Sequence, residues 1–160
     1  MEIIYRPVQE SDNAAIAEVI RGALEEYNVA RPGTVYTDPT TDALYQLFQT
    51  DGSAYWIAQA EGRIVGGCGI FPTVGLPEDC AELVKLYISN EFRGKGIGFE
   101  LMELSSKSAK EMGYKLLYLE TLPELSKAVS LYERAGYHLL DKPLGESGHF
   151  ACDIWMLKDL

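Results

Sequence analysis

Residues 90–102, NEFRGKGIGFELM, combine three glycines with two basic residues and then pass directly into an apolar, helix-forming run. The first turn of a helix has unpaired backbone N–H groups and a partial positive charge. A glycine-rich turn that leads from a strand into such a helix therefore has the composition to bind a phosphate or a pyrophosphate. We expect Arg93 and Lys95 to contact phosphate, because the net charge of −10 means that any anion must be bound locally.

Two common glycine-rich signatures of nucleotide-binding proteins do not fit this segment. The dinucleotide pattern G-x-G-x-x-G fails because Phe99 or Leu101 stands where its last glycine is required. The P-loop pattern fails because Lys95 is followed by glycine and not by serine or threonine. What remains is the pattern R-x-x-G-x-G over residues 93–98, between a strand and a helix.

Residues 86–102, LYISNEFRGKGIGFELM, resemble motif A of the GNAT superfamily, the acyl-CoA-dependent N-acyltransferases, in which Arg or Gln is followed by x-x-G-x-G or x-x-G-x-A. Residues 126–140, SKAVSLYERAGYHLL, resemble motif B of the same family. The two motifs occur in the family's order and separation, and the resemblance covers nearly the whole chain. One departure is Leu125, which stands where many members carry Asn.

This resemblance implies a fold, a cosubstrate and a binding turn. The fold is α/β (α+β), with a central mixed, mostly antiparallel sheet of six to seven strands flanked by about four helices. The cosubstrate is acetyl-CoA, and no metal is implied. Backbone amides of the turn would hold the pyrophosphate, and the implied cradle consists of Arg93, Gly94, Lys95, Gly96, Ile97 and Gly98.

The strand before the turn is implied to contact the pantetheine arm of the cosubstrate. By resemblance, Leu86, Tyr87 and Ile88 would present their backbone groups to this arm. One of their amides would polarise the thioester carbonyl as an oxyanion donor. We expect a β-bulge in this strand, because a bulge frees an amide from the sheet.

Glu82 is the candidate general base. A substrate ammonium with a pKa of about 10 must lose a proton before it attacks, and a carboxylate whose pKa is raised by burial can accept it, directly or through water. The segment AELV also resembles the start of the corresponding strand in histone-acetylating members, where a glutamate is the base. The alternative is a strand-end glutamate in solvent or in an ion pair. Strict alternation predicts one apolar face composed of Glu82, Val84, Leu86 and Ile88.

Tyr132 is the candidate acid that protonates the leaving thiolate. An ordinary tyrosine pKa of about 10 lies just above the thiol pKa of roughly 8 to 9. The chain has ten tyrosines, so simple packing of a helix on the sheet is the alternative. Direct transfer needs no enzyme nucleophile, and we interpret Cys80, Cys152 and His149 as structural residues.

The amine acceptor, whose identity the sequence does not give, is expected between the first helical pair and the last strands. Acidic side chains in this region would suit an amine. The candidates are Glu25, Glu26, Tyr36, Asp38, Tyr45 and the loop GESGHF at residues 145–150.

Hydrophobic spacing and turn residues predict the elements that position these residues. The predicted strands are residues 3–8, a hairpin over 54–73 that turns at Glu61-Gly62, and 81–89, 115–121, 137–140 and 153–157. The predicted helices begin behind Ser11 or Asp12, at 42–49, at 97 and at 125, with a mobile loop at 28–41. The third helix should end near Gly113 and bury one face, composed of Ile97, Leu101, Leu104 and Met112.

The composition sets limits on the class of protein. A length of 160 residues predicts one domain over residues 1–160. Three unpaired cysteines and the absence of an export signal or a long apolar run predict a cytoplasmic protein away from membranes. The acidic charge disfavours nucleic acid as a partner. The resemblance makes a homodimer an expected assembly.

Two other functions remain open at this point. A catalytically silent GNAT-like module would bind acyl-CoA as a sensor or pair with another protein, whereas an enzyme would release free CoA in the presence of an amine. A nucleotide-binding α/β domain could use the same turn, and binding of CoA but not of NAD or ATP would exclude it.

Overall fold

The computed structural model describes residues 2–148 and 151–160, so His149 and Phe150 of the predicted acceptor loop lie outside the described residues. The described part has seven strands and four α-helices, in the order β-α-α-β-β-β-α-β-α-β-β. The strands are β1 Ile3–Pro7, β2 Ala54–Ala60, β3 Arg63–Phe71, β4 Cys80–Ile88, β5 Leu116–Thr121, β6 His138–Leu139 and β7 Ile154–Asp159. The helices are α1 Asn13–Glu26, α2 Leu44–Leu47, α3 Ile97–Glu111 and α4 Ser126–Arg134. No helix among them is both long and apolar enough to cross a bilayer.

The strands form one mixed sheet in the order β1-β2-β3-β4-β5-β7-β6. Only β4 and β5 are parallel, because α3 carries the chain back over the sheet between them. The predicted hairpin of β2 and β3 turns at Glu61 and Gly62, and both residues have positive φ, as a two-residue hairpin turn requires. These findings confirm the predicted fold class and strand number.

Helices cover both faces of the sheet. On one face, α1 packs Ile16, Ile20 and Leu24 into a core that also includes Leu44 of α2. On the other face, α3 and α4 pack against a second core through the apolar side of each helix. The sheet is therefore buried on both sides, which explains why its central strands are almost uniformly apolar.

Helix α1 begins directly behind Asp12, as predicted, but two details of the predicted helices are wrong. Ser11 and Asp12 lie in a short 3₁₀ turn, Glu10–Asp12, and the Asp12 side chain makes no capping hydrogen bond to α1. Its carboxylate turns back and accepts hydrogen bonds from the Gln9 amide and the Arg6 guanidinium. The predicted buried face of α3 holds for Ile97 and Leu101, but Met112 is 45% exposed because the helix ends before it and Gly113 turns the chain.

The segment between α1 and α2 contains two 3₁₀ turns, Val35–Thr37 and Pro39–Asp42. The hydroxyl of Thr34 and the carboxylate of Asp38 accept backbone hydrogen bonds that start these turns. The predicted mobility of residues 28–41 stays a prediction.

The substitution Asp12→Asn should destabilise the fold by about 2 kcal/mol at neutral pH, because it weakens a buried, charge-assisted pair. Burial alone would raise the pKa of Asp12, but the hydrogen bonds from Arg6 and the Gln9 amide outweigh it and hold this pKa below its ordinary value. A lowered carboxyl pKa stabilises the fold above the unfolded-state value of about 3.9, and this stability is lost as the pH falls through the folded-state pKa. The difference between the two proteins in urea unfolding should therefore shrink between pH 7 and pH 3.

Asp42→Asn is the matched control. Asp42 also accepts two hydrogen bonds from an arginine, Arg21, but its side chain is 64% exposed. An exposed pair contributes about 0 to 1 kcal/mol. Equal losses in the two variants would contradict the role of burial at Asp12.

Candidate active site

Strands β4 and β5 separate after a short paired stretch. They pair in parallel only from Cys80 to Glu82, although β4 continues to Ile88 and β5 to Thr121. A cleft of about 620 Å³ occupies the space between the parted strands and extends to the start of α3 and the side of α4. The backbone groups of β4 that face this cleft have no strand partner, so they are available to a ligand.

Alternation along β4 identifies which backbone groups face the cleft. The Ser89 amide donates to Val65 in β3, and Tyr87 lies opposite Gly67 of the same strand. The carbonyl of Ile88 instead accepts a bond from the Arg93 Nε at 3.0 Å, on the cleft side. Of the three predicted pantetheine contacts, Leu86 and Ile88 therefore turn their backbone towards the cleft. Tyr87 turns its backbone to β3 and is also one of the residues that line the cleft.

A β-bulge interrupts β4 in front of these residues, as predicted. The register shifts by one residue between the pairs Gly69–Val84 and Gly67–Tyr87, and Lys85 at the shift has a φ of 55°. Because of the bulge, the predicted single face of Glu82, Val84, Leu86 and Ile88 is wrong. Val84 packs against the α1 core, whereas Leu86 and Ile88 pack against the core under α3 and α4.

Glu82 lines the cleft directly before the bulge. The residue is only 4% exposed, and one carboxylate oxygen accepts a hydrogen bond of 2.6 Å from the hydroxyl of Thr73. Its neighbour across the last paired rung is Tyr118 of β5. The carboxylate is therefore buried at the point where the two strands part, as the candidate base was expected to be.

Lys85 brings a buried cation to the same end of the cleft. Its side chain is 3% exposed, and its Nζ lies 3.7 Å from a carboxylate oxygen of Asp38. Burial lowers the pKa of this ammonium, while the carboxylates of Asp38 and Glu82 act in the opposite direction. The extra residue of the bulge thus links β4 to the segment between α1 and α2.

Tyr132 of α4 lines the opposite wall of the cleft. The residue is 8% exposed, and its ring meets that of Tyr137 edge-on, with centroids 5.9 Å apart. Burial raises the pKa of the Tyr132 phenol, with smaller contributions from Cys68, Tyr87 and Cys152. The hydroxyl is consequently a proton donor, and not an anion, at neutral pH.

The glycine-rich turn presents bare backbone at the far end of the cleft. Gly94 and Gly96 both have positive φ, and a Cβ added to either would meet no atom within 4 Å. In residues 2–148 and 151–160, no hydrogen bond from the amides of Gly94, Lys95 or Gly96 is formed. Because α3 begins at Ile97, its first amides also have no acceptor within the helix.

The two basic side chains of the turn have different surroundings, and their predicted contact with phosphate stays a prediction. Arg93 is directed towards the end of α1, where it donates to the carboxylate of Glu26 and to the hydroxyl of Tyr27 and stacks on the Tyr27 ring. Lys95 is exposed beside the turn. Leu125, at the position of the family's Asn, lines the cleft with an apolar side chain.

The acceptor end of the cleft contains residues that the sequence analysis missed. None of the predicted candidates Glu25, Glu26, Tyr36, Asp38 and Tyr45 lines it in the described part of the chain. Glu120 of β5 does line it, two residues beyond Tyr118 on the same face as Glu82. Its carboxylate accepts hydrogen bonds from the hydroxyls of Tyr118 and Ser147. The signal was available, because Glu120 is an acidic residue in the apolar strand LLYLET.

The cysteines are poor nucleophiles in this structure. Burial raises the pKa of Cys152 to about 12, with Glu120 and Glu82 adding to the effect, and raises that of Cys80 to about 11. A thiol with such a pKa is almost wholly protonated at neutral pH. His149 lies outside the described residues. Among the residues that the structure describes, no group of three or more His, Cys, Asp or Glu side chains has the geometry to hold a metal ion.

Comparison with known proteins assigns the family. The sequence model of the Acetyltransferase (GNAT) family matches residues 20–137. The chain is 42% identical over 158 residues to the uncharacterized N-acetyltransferase YjgM of Escherichia coli K12, a match that covers 98% of this chain and 95% of that protein. The chain therefore belongs to the GNAT family of acetyltransferases.

Solved structures share the fold at lower identity. A GNAT-family acetyltransferase from Staphylococcus aureus Mu50 superimposes with a TM-score of 0.84 at 18% identity and 99% coverage of both chains. The PaiA N-acetyltransferase of Thermoplasma acidophilum, solved in complex with coenzyme A, gives a TM-score of 0.78 at 20% identity and 100% coverage of both chains.

Proposed function

We propose that this protein transfers the acetyl group of acetyl-CoA to a primary amine of a small molecule or peptide by direct attack on the thioester. The observation that carries the proposal is that one cleft connects the open amides at the start of α3 with Glu82 and Tyr132. An anion-binding turn, a base and an acid are the groups that this reaction requires. The family membership and the coenzyme A complex of the Thermoplasma protein support the same cosubstrate.

The cosubstrate fits the cleft from the turn inwards. We assign the pyrophosphate to the backbone amides of residues 94–98, where a Cβ at Gly94 or Gly96 would meet open space. Lys95 is the side chain available to a phosphate, while Arg93 holds the turn against α1. The pantetheine arm would run beside β4 and pair with the backbone of Leu86 and Ile88 in place of the missing strand.

The chemistry follows from the two walls of the cleft. Glu82 accepts a proton from the acceptor ammonium, directly or through water, which leaves a neutral amine. The amine nitrogen forms a bond to the thioester carbonyl carbon, the carbon–sulfur bond breaks, and the Tyr132 hydroxyl gives its proton to the leaving thiolate. The nitrogen then releases its extra proton to the Tyr132 phenolate, directly or through water, which gives the neutral amide and restores the hydroxyl. Burial raises the pKa of Tyr132 in the free protein, so this hydroxyl is protonated at neutral pH and available as the donor.

The acceptor end of the cleft supports a cationic acceptor. Glu82 and Glu120 both line it, and the ammonium of Lys85 is already paired with Asp38. A protonated amine would find complementary charge there before it is deprotonated.

A thiol-release screen tests the proposed function. Free CoA is measured with acetyl-CoA alone and with amino acids, polyamines, aminoglycosides or peptides. We expect release of free thiol that depends on at least one class of amine. Tight binding of acetyl-CoA with no release for any amine would instead support a sensor, and absence of binding would defeat both functions.

Gly96→Glu should weaken CoA binding about 100-fold, because the new carboxylate stands among amides that hold the phosphates and repels them. Isothermal titration with CoA measures the affinity. Gly113→Glu is the matched control, since Gly113 also has positive φ and open space around it but lies beyond the other end of α3. Unchanged affinity in Gly96→Glu would show that the turn does not bind the phosphates.

Tyr132→Phe should leave CoA affinity within about threefold of the wild-type value but lower kcat by about 100-fold or more, because it removes only the proton donor. Tyr137→Phe removes a neighbouring hydroxyl that is buried without a hydrogen-bond partner in the described residues, and it should keep kcat. The role of Tyr132 as the acid is disproved if the two variants turn over equally fast.

Glu82→Gln should lower kcat/KM for the acceptor by about 100-fold or more and remove the acid limb of its pH profile, because the amide cannot accept the proton. Glu124→Gln makes the same change at the rim, where the carboxylate pairs with Arg31, and should retain that limb. An acid limb that persists in Glu82→Gln would assign the base to another group.

A further inference from the structure

Tyr55 of β2 reaches across β3 to the bulge in β4. Its hydroxyl donates a hydrogen bond of 2.7 Å to the backbone carbonyl of Lys85, and the residue is 2% exposed. Tyr55 does not line the cleft, so it cannot touch a substrate there. A buried hydroxyl in this position acts on the backbone of the bulge.

The peptide unit that Tyr55 holds is the one that carries the Leu86 amide. The carbonyl of Lys85 and the N–H of Leu86 belong to a single planar trans peptide, so the two groups point in opposite directions. A hydrogen bond that fixes the carbonyl on the Tyr55 side therefore aims the Leu86 N–H away from Tyr55, towards the cleft. Without this bond, the bulge has no ladder partner that would fix the plane of this peptide.

Glycines in β3 leave room for the Tyr55 side chain to cross this strand. A Cβ on Gly67 would lie 2.5 Å from the Tyr55 ring, and a Cβ on Gly69 would lie 2.3 Å from the Ala54 carbonyl and 2.6 Å from the same ring. Tyr55, Gly69 and Val84 are opposite one another on three adjacent strands. The glycines of VGGCG thus leave the space in which the ring crosses β3.

A second restraint acts on the same residue from its side chain. Lys85 has positive φ, an uncommon conformation for a residue with a long side chain. Its buried ammonium is held near Asp38, on the segment between α1 and α2. The bulge is therefore fixed by its backbone carbonyl and by its side chain, from two different elements.

We propose that Tyr55 is a positioning residue that aims the Leu86 amide at the thioester carbonyl of acetyl-CoA. This inference rests on the proposed function, because it needs acetyl-CoA in the cleft. It gives a role in catalysis to a residue that is remote in sequence from the glycine-rich turn, Glu82 and Tyr132. The function of the Tyr55 hydroxyl is to orient an oxyanion donor, and its ring serves as the spacer.

The test compares Tyr55→Phe with Tyr114→Phe. Tyr114 also donates its hydroxyl to a backbone carbonyl, that of Gly52 at 2.8 Å, but it lies away from the cleft. The probe is acetyl-CoA labelled with ¹³C at the acetyl carbonyl, whose stretching band is recorded by infrared difference spectroscopy when it is bound. This measurement needs no acceptor. Affinity for CoA within about threefold of the wild-type value shows that each variant keeps its fold and cradle.

We expect the bound carbonyl band of Tyr55→Phe to lie at higher frequency than that of the wild-type protein, because the amide polarises the carbonyl less. Tyr114→Phe should match the wild-type band. With an amine found in the thiol-release screen, kcat of Tyr55→Phe should fall at least about tenfold, while KM for acetyl-CoA changes less than about threefold.

An unchanged carbonyl band in Tyr55→Phe would overturn the inference and leave the proposed function intact. A loss of kcat that is equal in Tyr55→Phe and Tyr114→Phe would also overturn it, because the effect would then be one of stability. Binding of acetyl-CoA to the wild-type protein is measured first. If the wild-type protein does not bind it, the proposed function itself is wrong.

Discussion

The early separation of β4 from β5 is the constraint on which the site depends. Strand β4 pairs with β3 on one side, but on its other side only three of its nine residues pair with β5. The rest of this edge leaves backbone polar groups unpaired, and such groups are costly in a buried position. Here the parted edge opens onto a cleft and not into the core. Under the proposed function, an extended pantetheine arm that pairs with this edge would complete the sheet, so the gap that weakens the free protein would provide affinity for the arm.

The bulge in β4 adjusts this edge for chemistry. It shifts the register by one residue, so Glu82 and Leu86 no longer belong to the same face of the strand. Glu82 consequently lines the cleft from the side on which Val84 packs under α1, while Leu86 packs under α3 and α4. A regular strand would place a base and the contacts to the pantetheine arm on one surface, and they would compete for it.

The sequence predicted the parts of the site that rest on local chemistry. The turn at residues 93–98 follows from glycine spacing, and the buried positions of Glu82 and Tyr132 follow from an acidic residue in an apolar strand and from the motif around the tyrosine. Long-range contacts could not be predicted in this way. The pairing of Lys85 with Asp38 joins residues 47 positions apart, and the direction of Arg93 depends on where α1 ends. Side-chain alternation failed at the bulge because an inserted residue has no signature of its own in LVKLY.

Charge is distributed along the cleft in a way that suits the two substrates. The protein has a net charge of −10, so its overall field repels a polyanion such as a CoA. Under the proposed function, the turn would counter this with backbone amides and a helix N-terminus, which are fixed dipoles that act over a few ångströms and need no excess of basic residues. At the other end, the acidic side chains that oppose CoA favour an ammonium. The dipoles of the turn act over a short distance, whereas the field of the net negative charge extends further. An acceptor cation is therefore attracted by the negative charge at distances where the turn no longer repels it. Salt should therefore affect encounter with the acceptor more than it affects the grip of the turn on the phosphates.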